Sequence, residues 1–490
     1  MPPPVSPNPI KIVAAAFPEP SSRYAPIFVG KGGYGAILDA TGGGTERHFY
    51  VPAMAGKALT VEDLEYLKVK GCFTLPEESE QLLEAYFRYF HPEFPVIDGV
   101  AFLQDYAVGG YEGINLLLLW SMFSIGASYV PALPRRARKE SYIDRAKLLF
   151  DIGQETDKIV LVQSALLLSF WFADTEDVKQ SWYWTSIAFS IAQTLGLHHS
   201  VRSTYSKISF RQQSLWRNIW RCCMIRDVWL AFGMGRPLRI EAADCDFPLS
   251  GDADCQFTEL VLNGEKLYSL EEIAEFESAW QNFLATSDVL RGIMTSKTLS
   301  PTQAKPLRDC IVVQDICSPT FLLTHVERHL KLHQYAAIMA LARACGLKED
   351  LQIAADSTTA IIQAFLLDET ILYVAPITIP LVIPAMVTYL AIMKSQGPKA
   401  RNTGKANLSI YSRFFTAIKD NYPAASILER ILAAAQEAVA DQGSVREEEE
   451  AQLGFMDPLL TAWDPHWLGY ESSSRLPTVD DLGISEMQHS

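Results

Sequence analysis

Between Ile371 and Met393 the chain reads ILYVAPITIPLVIPAMVTYLAIM, an uncharged run long enough to cross a bilayer as a helix. Prolines recur in it every fourth residue, at Pro376, Pro380 and Pro384. Each lacks an N–H and clashes with the preceding turn, so a continuous membrane span is rejected. The pattern predicts instead a helix with Pro384 in its first turn, continuing through Ala385, Val387, Tyr389, Leu390 and Met393. Such a helix is apolar on nearly every side and belongs at the centre of a helical domain. No membrane partner is expected.

The rest of the composition supports a large folded core. Of 490 residues, 49% are apolar, too many for a disordered chain. The 42 Lys and Arg against 57 Asp and Glu give a net charge of −15, which excludes a surface that binds nucleic acid mainly through phosphates. Eight cysteines are scattered over the chain, and MPPPVSPNPIKIVAAAF has neither a charged leader nor a long apolar run, so reduced thiols and an intracellular location are expected.

Three zones differ in composition. Residues 1–78 are rich in Pro and Gly and read as an irregular N-terminal arm. Residues 79–441 repeat apolar positions at three and four, the helical period, and strand alternation is scarce. Residues 442–490 form an acidic-hydrophobic C-terminal tail whose acids include Glu447 to Glu450, Asp457 and Asp464. The expected fold class is therefore all-α, a large multi-helix bundle between an arm and a tail.

Several helices can be placed. Trp184, Ile187, Ala188, Ile191 and Leu195 share one face of a helix that Gly196 should close in the left-handed region. From about Phe210 to Phe232 the stripe Trp216, Ile219, Trp220, Cys223, Asp227, Leu230 and Ala231 ends at Gly233, Gly235 and Pro237. Asp227 interrupts that apolar face. A buried carboxylate needs a partner, and Arg236 or Arg239 beyond the glycine turn can fold back to clamp it. Further helical stretches lie at Ile114–Tyr129, Ile159–Phe172, Leu270–Leu290, Thr320–Ala344, Ser357–Leu372 and Ile427–Val439.

Three segments carry more specific information: Glu62 to Asp98 with YFRYFHPEFPVID, SWYWTSIAFSIAQTLGLHH, and LWRNIWRCCMIRDVWLAFGMGRPLRIEAADCDFP. In sequence, order and spacing they resemble the fungal-specific transcription factor domain, the regulatory middle region of zinc-cluster transcription factors, of the cutinase-gene-activator type. The positions matching that pattern are Tyr86, Phe87, His91, Pro92 and Pro95, then Leu195, Gly196, Leu197 and His198, then Asp227, Gly235, Arg236 and Pro237. Physically they read as fold-determining: prolines forcing an extended exit, a glycine cap, and a buried acid with its arginine. The resemblance implies regulation of RNA polymerase II transcription in the nucleus. It also implies a six-cysteine cluster holding two zinc ions as DNA-binding module. These residues contain no C-x-x-C, and Cys72 is the only cysteine before Cys222. No zinc or other cofactor is expected in this chain itself. DNA contact would come through a missing or separate module, either because the chain is part of a longer activator or because a regulator kept the body and dropped the finger.

Other motifs weigh less. Gly30-Lys31-Gly32-Gly33-Tyr34-Gly35 satisfies G-x-G-x-x-G, but its surroundings read as a flexible loop. His325, His329 and His333 share one helix face at a spacing that could hold a metal. With Glu327, Arg328 and Lys331 among them they read rather as a partly solvated stripe. No nucleophile constellation is present, and catalytic and metal residues are expected to be absent. Arg135, Arg136, Arg138 and Lys139 form a compact basic cluster, equally an import signal or a solvated loop. Trp171, Trp182, Trp184 and Trp229 could line a pocket between helices or be plain core. The tail segment Phe455 to Glu471 could activate transcription or dock on the body through Phe455, Leu459, Trp463 and Trp467.

The favoured reading is a regulatory protein, not an enzyme, whose partners are the transcription machinery or a DNA-binding protein, with a small-molecule inducer and a homodimer as further expectations. The alternatives are an accessory interaction protein, or a helical metabolite-binding protein or enzyme on the same scaffold.

Overall fold

A computed structural model describes residues 24–30, 34–41, 48–52, 58–131, 135–171, 180–201, 208–249, 257–296, 299–313, 320–395 and 397–449. The architecture is helical, with two small antiparallel sheets. Strand β1 (Tyr24–Phe28), helix α1 (Tyr34–Ala40) and strand β2 (His48–Pro52) come first, followed by α2 (Val61–Val69). β1 and β2 pair from Tyr24 opposite Pro52 to Phe28 opposite His48. Five-residue strands containing prolines are too short for an alternation pattern to reveal, so sequence period alone left them in the arm. The glycine motif starts just after β1 and its Tyr34 and Gly35 open α1, but β1 belongs to an antiparallel pair and not to a βαβ unit. Its Lys31, Gly32 and Gly33 lie outside the described residues.

The body opens with α3 (Ser79–Ala85), which runs into a π-helical turn, Tyr86–Phe90. Then come α4 (Gly99–Gly109), α5 (Leu116–Gly126), α6 (Arg135–Asp151), α7 (Lys158–Leu168), α8 (Ser181–Thr194) and the long α9 (Phe210–Met234). After strands β3 (Val261–Leu262) and β4 (Glu265–Lys266) follow α10 (Leu270–Thr295), α11 (Pro301–Asp309), α12 (Phe321–Cys345), α13 (Lys348–Leu367), α14 (Thr378–Ser395), α15 (Pro398–Ile418) and α16 (Pro423–Glu449). The stops follow the sequence: Gly196, Gly235 and Gly346 take positive φ just beyond α8, α9 and α12. Ser209 with Gln212 and Ser269 with Glu272 form capping boxes at the starts of α9 and α10.

One contiguous core joins these helices. α12 packs on α10, α13, α14 and the π turn, while α5 packs on α6, α7 and α3. Trp120, Trp184, Trp220, Trp229 and Trp280 are fully buried, and truncating any one costs about 3–5 kcal/mol. α3 and α5 meet backbone to backbone: a Cβ on Gly126 would lie 2.3 Å from the Leu82 carbonyl oxygen.

Two expectations about prolines change. α14 begins at Thr378, so Pro384 sits inside the helix and not in its first turn. The missing N–H leaves the Pro380 carbonyl without its helical donor, while the Pro384 carbonyl itself accepts from the Arg343 guanidinium at 3.0 Å, which also donates to Thr388 Oγ1 at 3.1 Å. At the other site His91, before Pro92, keeps helical angles, and at Pro95 the chain makes a tight turn in which the Val96 N–H donates to the Phe94 carbonyl at 2.8 Å, not the expected extended exit. Among the described residues no helix is long and apolar enough to cross a membrane. Residues 450–490, with most of the acidic tail, lie outside the described residues.

Candidate functional site

Two buried polar centres flank α9. The first closes the C-terminal end of that helix. Arg239 folds back over Gly235, its Nη1 paired with Asp227 Oδ1 and its backbone N–H donating to Oδ2 at 2.8 Å. The same guanidinium donates to Ser186 Oγ at 3.1 Å and to the Trp182 carbonyl at 2.9 Å, and it lies 3.5 Å from the centre of the Trp182 ring. Burial pushes the Asp227 carboxyl up, against the downward pull of the Arg239 contacts. Arg236 takes no part in the pair: it sits over Trp182 at 4.8 Å, while its N–H donates to the Ala231 carbonyl at 3.0 Å and completes the left-handed cap at Gly235, just before Pro237.

Gly196 and His198 form a seat for the N-terminal hairpin. Gly196 has φ +69°, and a Cβ there would strike the Phe28 ring at 2.4 Å. His48 on β2 meets the Gly196 carbonyl at 3.1 Å, and Phe28 stacks on His199 at 4.8 Å. Burial drives the His198 imidazole down to about 4, and the seat is built of stacked and edge-on rings.

The second centre lies where the π turn meets α12. A π turn releases backbone carbonyls from their usual partners, and side chains take them up: Tyr268 OH donates to Phe87 O, and His325 Nε2 lies 3.3 Å from Tyr89 O. The histidine row was expected to be partly solvated. It is buried instead, with exposures of 3% at His325, 1% at His329 and 4% at His333, because α10, α13 and residues 374–376 cover that face of α12. His329 Nδ1–H donates to the His325 carbonyl at 2.9 Å, and Nε2 accepts the Ala375 N–H at 3.0 Å. His333 Nδ1–H donates to the His329 carbonyl at 2.7 Å. Burial holds the imidazoles neutral, His329 at about 4 and His333 at about 3.

Glu93, which sequence reasoning missed, joins this row. Its Oε1 lies 3.3 Å from His329 Nδ1 and 3.6 Å from His325 Nε2, and burial raises its carboxyl well above the usual range. Ligand-type atoms of Glu93, His325 and His329 all fall within 4.8 Å of one another. Both His329 nitrogens are engaged with the backbone, so that ring offers no free lone pair to a cation, and the arrangement fits hydrogen-bonded neutral imidazoles better than a metal centre. The only sequence signal for Glu93 is its place between Pro92 and Pro95. His91, in the same segment, is buried against Phe87 and Phe257, with its imidazole lowered to about 4.

Two further groups of sequence candidates separate in space. The basic cluster is the first turn of α6, not a loop. Arg135 is 6% exposed and donates to the Leu372 carbonyl at 3.1 Å, and Arg138 pairs with Glu78 at 3.1 Å. Lys139 is 1% exposed; its Nζ donates to Ser128 Oγ at 2.7 Å and lies 4.7 Å from the Tyr422 ring centre. Arg136, paired with Glu140 at 2.9 Å, is left at the surface, so the cluster is not an accessible basic peptide. The four tryptophans do not share a pocket either. Trp171 faces Lys139, Trp182 faces Arg236 and Arg239, Trp184 packs edge-on to Phe150, and Trp229 meets Phe283 and His333. Successive helical positions point in different directions, which a count of aromatics does not capture.

Residues 83–321, from α3 to the start of α12, match the model of the fungal-specific transcription factor domain. The chain carries a fungal-specific transcription factor domain. Cutinase transcription factor 1 beta of Fusarium vanettenii is 35% identical over 208 residues, 40% of this chain and 23% of that protein. The acetamidase regulatory protein of Aspergillus oryzae is 34% identical over 180 residues, 35% of this chain and 23% of that protein. Transcription factor cpaR of the same organism is 29% identical over 209 residues, 40% of this chain and 35% of that protein. The chain thus matches about a quarter of the length of the first two. The clamp and the hairpin seat on Gly196 lie inside the fungal-specific transcription factor domain, whereas the histidine row lies just past its matched end, facing Glu93 within it.

Proposed function

We propose that this chain is the regulatory body of a fungal transcription regulator, acting in the nucleus on RNA polymerase II genes by binding and not by turnover. The match of residues 83–321 to the fungal-specific transcription factor domain carries this reading, and relatives named as transcription factors and regulators support it. In this reading residues 79–441 form the regulatory body, residues 1–78 an arm and residues 442–490 a tail. DNA contact comes from a zinc-cluster module or a DNA-binding partner, since these residues contain no paired C-x-x-C. Helices that meet through buried polar contacts suit such a role, because two arrangements of a bundle can differ by only a few kcal/mol.

The test is to fuse residues 1–490 to a heterologous DNA-binding domain and measure a reporter in fungal cells. A severalfold change in reporter output is expected, and output equal to the DNA-binding domain alone overturns the proposal. Deleting the residues after Gln442 abolishes that change if the tail is the activating part, or lowers the melting temperature if the tail docks on the body.

A further inference from the structure

Three polar atoms without a hydrogen-bond partner converge on one place in the core. Glu93 Oε1, His333 Nε2 and Trp280 Nε1 are all buried and unbonded among the described residues. The three side chains line the same recess, with Phe283, Val326 and Leu330 as apolar walls. A second recess adjoins it, sharing Glu93, Phe283 and His333 and reaching Arg226 and Trp229 on α9. Room for the centre of a water-sized sphere amounts to about 20 Å³ in the first and about 30 Å³ in the second. On this measure one water takes about 10–15 Å³, so each recess holds one or two waters and only the two together take a molecule of a few heavy atoms, smaller than a drug-sized ligand.

The hydrogen-bonding character of the site is set by its surroundings. His333 Nδ1–H is bonded to the His329 carbonyl, so Nε2 of the neutral ring can only accept. Trp280 Nε1–H can only donate. Glu93 Oε1 can accept, and burial pushes its carboxyl toward the neutral form. Leaving a buried polar atom unpaired costs about 1–3 kcal/mol, and three around one space is a large cost unless an occupant answers them. Arg226 is no rival for that occupant: its Nε–H donates to Ser169 Oγ at 2.9 Å, Nη2 to the Ser169 carbonyl, and its guanidinium stacks over Phe170 at 4.2 Å.

We infer that this recess binds a small uncharged carboxamide, whose NH₂ donates to His333 Nε2 and Glu93 Oε1 and whose carbonyl accepts from Trp280 Nε1–H. A carboxylate has no donor for His333. An ammonium leaves Trp280 unanswered. The apolar walls take a short hydrocarbon body. The recess joins the family-matched part, through Glu93 on the segment after the π turn and Trp280 on α10, to α12 beyond it, so an occupant ties the two parts of the bundle together. A regulatory consequence of binding rests on the proposed function; the binding itself does not.

The test uses the purified 490-residue chain with propionamide, propionate and propylammonium, which share a carbon skeleton and differ in the head. Saturation-transfer NMR titrations are expected to show saturable binding of propionamide, roughly tenfold or more tighter than either charged probe. His333→Leu should weaken propionamide binding roughly tenfold or more, and Trp280→Phe, which keeps a ring in the recess, severalfold. Each variant's melting curve separates lost binding from lost folding. Equal binding of all three probes, no binding of the amide, or unchanged binding in folded His333→Leu or Trp280→Phe overturns the inference. The reporter fusion is read without any amide, so its failure sinks the regulatory reading alone, and failure of the titration sinks the recess alone.

Discussion

The clamp at the end of α9 and the lysine in the first turn of α6 solve the same problem in opposite ways. Asp227 is buried and answered by Arg239, whose remaining donors reach Ser186 Oγ and the Trp182 carbonyl, so an opposite charge and a set of acceptors surround it. Lys139 is equally buried but meets only a serine hydroxyl and aromatic faces, and burial, with neighbouring Arg135, lowers its ammonium to about 7. A buried charge can be kept by pairing it, or it can be given up as a proton. The first fails when a partner is removed. The second makes stability depend on pH.

The largest effect that could break this comparison is at the clamp. Arg239→Ala leaves Asp227 buried without its partner and should cost about 3–5 kcal/mol in denaturant unfolding. Adding Asp227→Asn should restore part of that loss, because the uncompensated carboxylate is gone. A cost below about 1 kcal/mol for Arg239→Ala would place the pair among weak surface ion pairs instead.

Lys139 sharpens the contrast through pH. Its ordinary value of 10.5 in the unfolded chain falls to about 7 in the fold, so between those values the unfolded chain binds the extra proton and stability rises with pH. Below about pH 7 the lysine is charged in both states, and the penalty is full and constant. Lys139→Met, which conserves volume without the charge, should therefore be more stable than the parent near pH 6, with the gap closing by up to about 1.4 kcal/mol per pH unit above pH 7. A gap that stays constant from pH 6 to pH 9.5 would show that the fold leaves Lys139 charged.

The smallest effect is at the hairpin seat, which holds no buried ion pair. Phe28→Ala removes the ring seated on Gly196 and His199, worth about 1 kcal/mol. Hydrogen exchange should speed up at residues 24–28 and 48–52 and stay unchanged along α9. Faster exchange along α9 as well would make the hairpin part of the main core.

How far the sequence reached can be judged helix by helix. α9 was legible from about Phe210 to its stop at Gly233 and Gly235, and α8 to Gly196, because 3.6-residue periodicity and glycine punctuation are local signals. α6 escaped notice because its basic first turn looks like a loop until tertiary contacts bury Arg135 and Lys139. The N-terminal extension of α14 escaped because prolines usually end helices, and what packs against its first turns, such as Gly233 against Pro380, comes from far along the chain. The clamp was legible as a need for an arginine. Which arginine was settled by geometry: the turn at Gly235 turns Arg236 onto Trp182 and brings Arg239 to the carboxylate.

By itself the sequence determined the class of fold, the ends of several helices and the presence of a buried acid, since these follow from spacing and from the cost of an unpaired charge. Only tertiary structure decided which face of α12 is buried, that Glu93 meets its histidines, and that three polar atoms from distant segments meet in one recess. Those outcomes depend on which helices lie against one another, and a periodicity identical for a solvated and a buried histidine row carries no record of its neighbours.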